Sequence, residues 1–433
     1  MTTASHSPCL FKARTSSSVG ESETCVEPRE RPRVLAIVPY SPNRIRVRTS
    51  ATLSELTRHA EVDLVCLDDG GPMELPAEIR KFVVIPNASR IMRVFRVMVG
   101  LVLGRPIAQE FYNSGRLRHV IASLDLDQYD AVYVERLPVH SYLKHPKVIY
   151  DCQDCCSHLD RLMAKHGKGW ERFLYALDAI LLPRHERTAC NAASLVLVTA
   201  DREIHKLRKL GVTSPIEVWT HDCTVDLAPR ILSSRERFII SFHGKLSYAA
   251  NGLALRALSE LVAPALDKSS FELRIIGKCP ARLPKRFPNL KFTGFVPSIM
   301  DTIRYSDLCV FPLPVSVGFP NKAMESLAAG VPFIATAEVV EGLPNSKEIL
   351  EKGIYVRDIR QFAEEIERYS RLSLSERQQI SRLCYEYARR VYDSASAQGQ
   401  WNRILGHASV AVGDRSVSNY SSERDVERSL PDI

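Results

Sequence analysis

The sequence predicts an α/β protein built as two doubly wound, Rossmann-like domains that face each other across a cleft. Short apolar runs alternate with helical stretches, the pattern of parallel strands joined by crossover helices. This alternation begins near residue 33 and restarts near residue 238. The chain is 433 residues long, too long for one ordinary core and suited to about two to three domains.

In the first unit, residues 34–38 (Val-Leu-Ala-Ile-Val) form a continuous apolar run between Arg33 and Pro39, as expected of a parallel strand buried on both faces. A loop and a helical pattern through Leu53 and Leu56 follow. Further strands are expected at 62–67, 82–86, 131–134, 147–150 and 195–198, with a helix at 170–187 among the elements between them. The second unit opens with a strand at 238–242 and a helix over 252–266. Strands then follow at 272–276 (closed by Gly277), 290–293, 308–311 and 332–336. The expected division is a disordered tail at 1–32, an acceptor-side domain at 33–210, a linker region at 211–237 and a donor domain at 238–374. Helices at 375–407 would cross back to the first domain, and a second disordered tail covers 408–433. The tails are rich in Ser and alternating charge, a composition that does not build a core.

Composition narrows the class. The chain is 45% hydrophobic and 25% charged, as in globular proteins. Its net charge of +8 is mild and spread along the chain, which does not argue for nucleic acid. The 11 cysteines are odd in number and scattered, which argues against a disulfide framework and for a reducing, cytoplasmic setting. Residues 1–30 carry no apolar signal-peptide core. No run reaches the roughly 18–20 apolar residues that span a bilayer.

Dinucleotide, Walker-type, zincin and hydrolase motifs are absent. The richest segment is 318–326 (Gly-Phe-Pro-Asn-Lys-Ala-Met-Glu-Ser), which follows strand 308–311 and opens a helix. Gly318 allows close backbone approach to a ligand. Asn321 is placed to cap the helix, whose free N–H groups suit a phosphate. Lys322 adds positive charge, and Glu325, one turn in, suits vicinal hydroxyls. An ordinary capped helix is the competing reading.

The pieces 292–296 (Phe-Thr-Gly-Phe-Val), 306–313, 318–336 and 341–343, in this order and spacing, resemble the donor half of GT-B glycosyltransferases. They look most like the large retaining family called group 1, or family 4. The run 242–246 (Phe-His-Gly-Lys-Leu) with Asn251 is similar to that family's glycine loop. Residues 34–40 and 42–48 match its first strand and acceptor-side loop more weakly. The resemblance covers about residues 33–405.

This resemblance implies a nucleotide-sugar donor held by the second domain. Glu325 matches the second carboxylate of the family's Glu-x7-Glu motif, which binds the ribose. Lys245 matches the basic residue beside the diphosphate, and Gly244 with the backbone of Gly318, Phe319, Pro320 and Asn321 would lie against the same phosphates. Charge-assisted bonds there would stabilise the leaving group without a metal. Retention would be expected, with the leaving phosphate helping to deprotonate the acceptor. Three positions depart from the family pattern. Val317 stands at the first glutamate, Asn251 at the second basic residue, and Gln153 or Asp154 at the first-domain histidine.

On the acceptor side, Asn43, Arg44, Arg46 and Arg48 lie in the first strand-to-helix loop. They read either as a seat for an anionic acceptor or as a solvated face. Asp154 and Ser157 sit in a Cys-rich stretch after a strand and are candidates for acceptor contact. Cys152, Cys155 and His158 admit a metal reading, against cysteines packed as small apolar residues. Residues 89–101 set arginines at every third position among large apolar residues. This is either a helix for a membrane surface or a core helix with arginines at its edge.

The expectation is therefore a cytoplasmic glycosyltransferase, peripheral to the inner membrane face. It would act on a lipid-linked or polysaccharide acceptor with no cofactor beyond the donor itself. Alternatives are an inactive GT-B homologue serving as a scaffold, motivated by Val317 and Asn251, and a sugar-nucleotide epimerase. No catalytic residue is assigned.

Overall fold

The computed structural model describes residues 12–13, 31–43, 46–136, 138–220, 230, 232, 236–392 and 400–406. The rest of both expected tails, most of residues 221–235, and Arg44 lie outside the described residues.

The first sheet has eight strands. They are β1 (Lys12–Ala13), β2 (Arg33–Val38), β3 (Glu61–Asp68), β4 (Lys81–Pro86), β5 (Ala131–Glu135), β6 (Val148–Gln153), β7 (Leu195–Val198) and β8 (Ile216–Val218). Their order across the sheet is β1-β4-β3-β2-β5-β6-β7-β8. All pairs are parallel except β1 with β4. The second sheet holds β9 (Phe238–His243), β10 (Phe271–Ile276), β11 (Lys291–Gly294), β12 (Leu308–Phe311), β13 (Phe333–Ala335) and β14 (Ile354–Val356). It is wholly parallel in the order β11-β10-β9-β12-β13-β14. The central strands are apolar at nearly every position because helices cover both faces. β5, β7 and β12 are buried throughout.

Two sequence expectations need correction. Lys12 and Ala13, assigned to the disordered tail, add an antiparallel strand to β4, whose outer edge otherwise offers unpaired backbone groups. The linker does not begin at 211, because β8 pairs with β7 and Trp219 is fully buried in the first core. A three-residue strand is too short to leave a periodic pattern.

The helices around the two domains and their cleft include α1 (Val47–His59), α2 (Arg90–Val102), α3 (Ile107–Tyr112), α4 (Cys156–His166), α5 (Gly169–Asn191), α6 (Asp201–Lys209), α7 (Asn321–Ala328) and α8 (Leu374–Val391). Of the C-terminal helices expected at 375–407, the described residues show α8 and a helical stretch at 400–406. α8 packs on the second domain through Cys384, Tyr387 and Ala388. Residues 400–406 are helical and return to the first domain, where Trp401 meets Trp219 at 5.2 Å between ring centroids and Tyr133 at 6.2 Å.

Beneath the first cleft edge lies a buried ion pair. Arg48 Nε donates to Asp151 Oδ2 at 2.9 Å, Nη2 to Oδ1 at 2.7 Å, and Nη1 to the Trp219 carbonyl at 2.6 Å. Tyr133 donates to the same carboxylate at 2.7 Å. This bidentate, fully satisfied arrangement joins α1, β6 and the end of the first domain.

Candidate functional site

The strand order reverses at β9 and β12, and ligands in open α/β sheets bind beyond the carboxyl ends of the strands at such a point. The loops leaving β9 and β12 line one cleft of ≈ 350 Å³, a size typical of ligand sites. It gathers Gly244 and Lys245 from the first loop and Asn251 from the helix after it (Ala249–Ala257), with Phe319 and Pro320 from the second loop and Asn321, Lys322 and Glu325 from α7. Asp154 and Val317 also line it.

Glycine is required at Gly244. Its φ is +139°, and an added Cβ would stand 2.5 Å from Lys322 Cε. Lys322 thus crosses the glycine and places Nζ 2.6 Å from Asn251 Oδ1. Asn251 Nδ2 donates to the Lys245 carbonyl at 2.8 Å. Asn251 therefore positions both the lysine and the loop. Lys322 keeps part of its surface open, yet the protein around it excludes enough water to push its ammonium down to about 8. Glu325 lies one turn further on, with Oε2 3.0 Å from Nε2 of the fully buried His243. Its second oxygen has no hydrogen bond among the described residues.

The cap differs from the expectation. Pro320 stands at the N-cap and Asn321 is the first helical residue, with no side-chain cap bond. Asn321 N–H turns back to the Phe319 carbonyl at 3.0 Å, and Ala323 N–H to Pro320 at 2.9 Å. The proline, lacking a side-chain acceptor, leaves the turn to be closed by backbone alone. Fewer donors are free than the sequence suggests, and the Lys322 N–H is the one left in the first turn among the described residues.

The first domain takes hold of this loop. Gly318 N–H donates to Glu203 Oε1 at 2.9 Å, and Phe319 N–H to Thr199 Oγ1 at 3.0 Å. Arg202 Nη2 donates to the Gly318 carbonyl at 2.7 Å. Burial alone would raise the Glu203 carboxyl, but Lys206 and the N–H groups of Cys155 and Gly318 hold it below its usual range. Thr199 also donates to Asp154 at 2.8 Å. Burial pushes the Asp154 carboxyl up, against the pull of Arg136. A Cβ on Gly318, whose φ is +61°, would stand 1.9 Å from Asp154 Oδ1.

The expected acceptor-side set does not assemble on this cleft. Arg48 is consumed by Asp151, Arg46 pairs with Asp69 at 2.8 Å, and Asn43 spends its amide on the Ser41 and Pro72 carbonyls. The cation expected for an anion is thus neutralised within the fold. Ser157 is fully buried beside Glu186 and Cys155. Among the described candidates only Asp154 lines the cleft. Among the described residues no group of three His, Cys, Asp or Glu could hold a metal. Cys152 and Cys155 are buried, and burial raises the Cys155 thiol. α2 is not a core helix, because Ile91, Met92, Val94, Phe95, Met98 and Val102 are exposed. Among the described residues no helix is long and apolar enough to cross a membrane.

Sequence reasoning missed His243, although its motif was in view, and missed Thr199, Arg202 and Glu203 altogether. The last three act on a loop more than 110 residues away, and no local pattern marks them.

Residues 237–371 match the family model described as glycosyl transferases group 1. Solved structures of the same architecture include Anabaena HepE in complex with UDP and glucose, at 14% identity and TM-score 0.54, over 87% of this chain and 99% of that one. WaaG, a glycosyltransferase involved in lipopolysaccharide biosynthesis, aligns at 14% identity and TM-score 0.54, over 88% and 100%. The UDP-forming α,α-trehalose-phosphate synthase from Burkholderia vietnamiensis aligns at 12% identity and TM-score 0.56, over 86% and 99%. At such identities the likeness is one of fold. No curated protein sequence matches the chain.

Proposed function

We propose that this chain, which has the GT-B fold and matches glycosyl transferases group 1 over residues 237–371, is a glycosyltransferase that moves a sugar from a nucleoside-diphosphate sugar to a glycan or lipid-linked acceptor with retention of configuration. The observation that supports this most is the convergence of Gly244, Lys245, Lys322 and Glu325 on one cleft at the strand switch point.

In this reading Glu325, steadied by His243, takes the ribose hydroxyls. Lys322 and Lys245 hold the diphosphate, with the Lys322 N–H beside them. Gly244, Phe319, Pro320 and Asn321 shape the backbone wall, and Gly318 anchors it to the first domain. As the bond from the anomeric carbon to the phosphate oxygen breaks, the two ammonium groups stabilise the charge left on the diphosphate. The acceptor oxygen bonds to that carbon on the same face and passes its proton to the departing phosphate. No cofactor enters this scheme. The test is release of nucleoside diphosphate from a donor panel, with uridine sugars first because HepE is seen with UDP and glucose. No release from any donor, with or without acceptor glycans, would refute it.

The finer location belongs to the same proposal: peripheral attachment at the cytoplasmic face of a membrane, through α2. Its exposed apolar side, with Arg90 exposed at its start, suits an anionic lipid surface. Flotation with phosphatidylglycerol vesicles should carry the protein upward, and Phe95→Glu with Met98→Glu should abolish this. Absence of wild-type flotation contradicts it.

A further inference from the structure

A second cavity, of ≈ 90 Å³, lies in the first domain. It sits at the carboxyl ends of β5 and β6, roofed by α3 and α5, and has room for several waters. Tyr112 and Tyr150 supply aromatic surface, and Leu182 with Pro138 adds apolar surface. Gln109 Oε1 and His140 Nδ1 are buried there without hydrogen-bond partners among the described residues. Buried polar atoms carry a desolvation cost unless something bonds them.

The cavity lining holds one arginine, Arg136, and one carboxyl, Glu186, each already hydrogen-bonded. Burial, and then the neighbouring His185, hold His140 below the usual imidazole range, and burial does the same to His185. Both rings are therefore neutral near pH 7. The Glu186 carboxylate is already occupied, accepting N–H bonds from Cys156 at 2.6 Å and Ser157 at 3.2 Å. Arg136 spends its guanidinium on Gln153 Oε1 at 3.4 Å and Cys156 Sγ at 3.1 Å. Aromatic faces with isolated polar atoms suit a neutral ring that has apolar faces and hydroxyl edges.

The position matters as much as the lining. Arg136 has φ +49° and Gln153 φ +66°, so two non-glycine residues take the left-handed conformation at the ends of adjacent strands. Such strain gathers where a fold aims side chains at a ligand. Arg136 also lies beside Asp154, which lines the donor cleft. The two cavities thus adjoin at Cys156, Arg136 and Asp154.

We propose that this cavity seats the acceptor as a neutral glycosyl residue, stacked on Tyr112 or Tyr150 and hydrogen-bonded by Gln109 and His140. The proposal rests on the glycosyltransferase reading for its purpose, but its binding claim can be measured alone. Saturation-transfer NMR on the full chain would use methyl glycosides of glucose, galactose, mannose and N-acetylglucosamine as probes. At least one should receive saturation from the wild type. Gln109→Leu and His140→Phe should each cut that transfer about fivefold, the effect of losing one hydrogen bond. Binding of nucleoside-diphosphate sugars, read by thermal shift in the same variants, should stay unchanged, because neither side chain lines the donor cleft. Failure of donor binding with intact glycoside binding would refute the donor reading and leave the cavity assigned. No glycoside signal from folded wild type, or a signal that neither variant alters, would overturn the cavity proposal. So would binding of inorganic phosphate in place of every glycoside.

Discussion

Lys322 Nζ lies 2.6 Å from Asn251 Oδ1, so the ammonium is held over Gly244 by an amide. The position read in the sequence as a lost basic residue instead steers a basic residue from α7. Because burial brings this ammonium down to about 8, its charge depends on pH in the working range. A bound diphosphate favours the charged form. Donor affinity should therefore be fullest below pH 8 and fall as pH rises through it. Lys322→Met should weaken donor binding about tenfold or more at pH 7, the worth of a charge-assisted hydrogen bond, and remove this pH dependence. Isothermal titration from pH 6.5 to 9.5 reads both effects.

Gly318 is pinned from two sides, with its N–H on Glu203 and its carbonyl on Arg202. Gly318→Ala forces a Cβ against Asp154 in a left-handed backbone. The closed arrangement should lose about 1–3 kcal/mol. Small-angle scattering should show a wider molecule, and donor affinity should fall. An unchanged scattering profile would count against the clasp.

Arg48 belongs to the framework. Arg48→Met leaves Asp151 buried and unpaired and should cost about 3–5 kcal/mol in urea unfolding. Glycoside binding per folded molecule should not change. A variant of native stability with poor acceptor binding would restore the loop arginines as acceptor contacts.

Trp401 ties the returning chain end to Trp219 and Tyr133. Trp401→Ala should cost about 3–5 kcal/mol of first-domain stability through the cavity it leaves. Deleting residues 400–433 should destabilise to a similar degree, and equal stability of the truncated chain would show the contact to be passive.

The fold was legible because central parallel strands must be apolar at nearly every position, as in β2, β5, β7, β9 and β12, and glycine or proline closes several of them. The short edge strand β8 escaped because three residues carry no period. The donor cleft was half legible. Gly244, Lys245, Lys322 and Glu325 lie in two local motifs that a reader can see. The roles of Asn251, His243 and Glu203 depend on partners 71, 82 and 115 residues away, and packing alone sets such pairings. The arginines near residue 46 misled for the same reason. A cation looks free until the distant carboxylate that neutralises it is known, and Asp151 is 103 residues from Arg48.

The donor site is tested most directly by titrating wild type and Glu325→Ala with a panel of nucleoside-diphosphate sugars, following thermal stability. At least one donor should raise the wild-type melting temperature, by an increment that grows with concentration as ligand linkage requires. The same donor should give Glu325→Ala little or no increment. A panel in which no donor shifts the wild type, or in which both proteins shift alike, would contradict the assignment of this cleft.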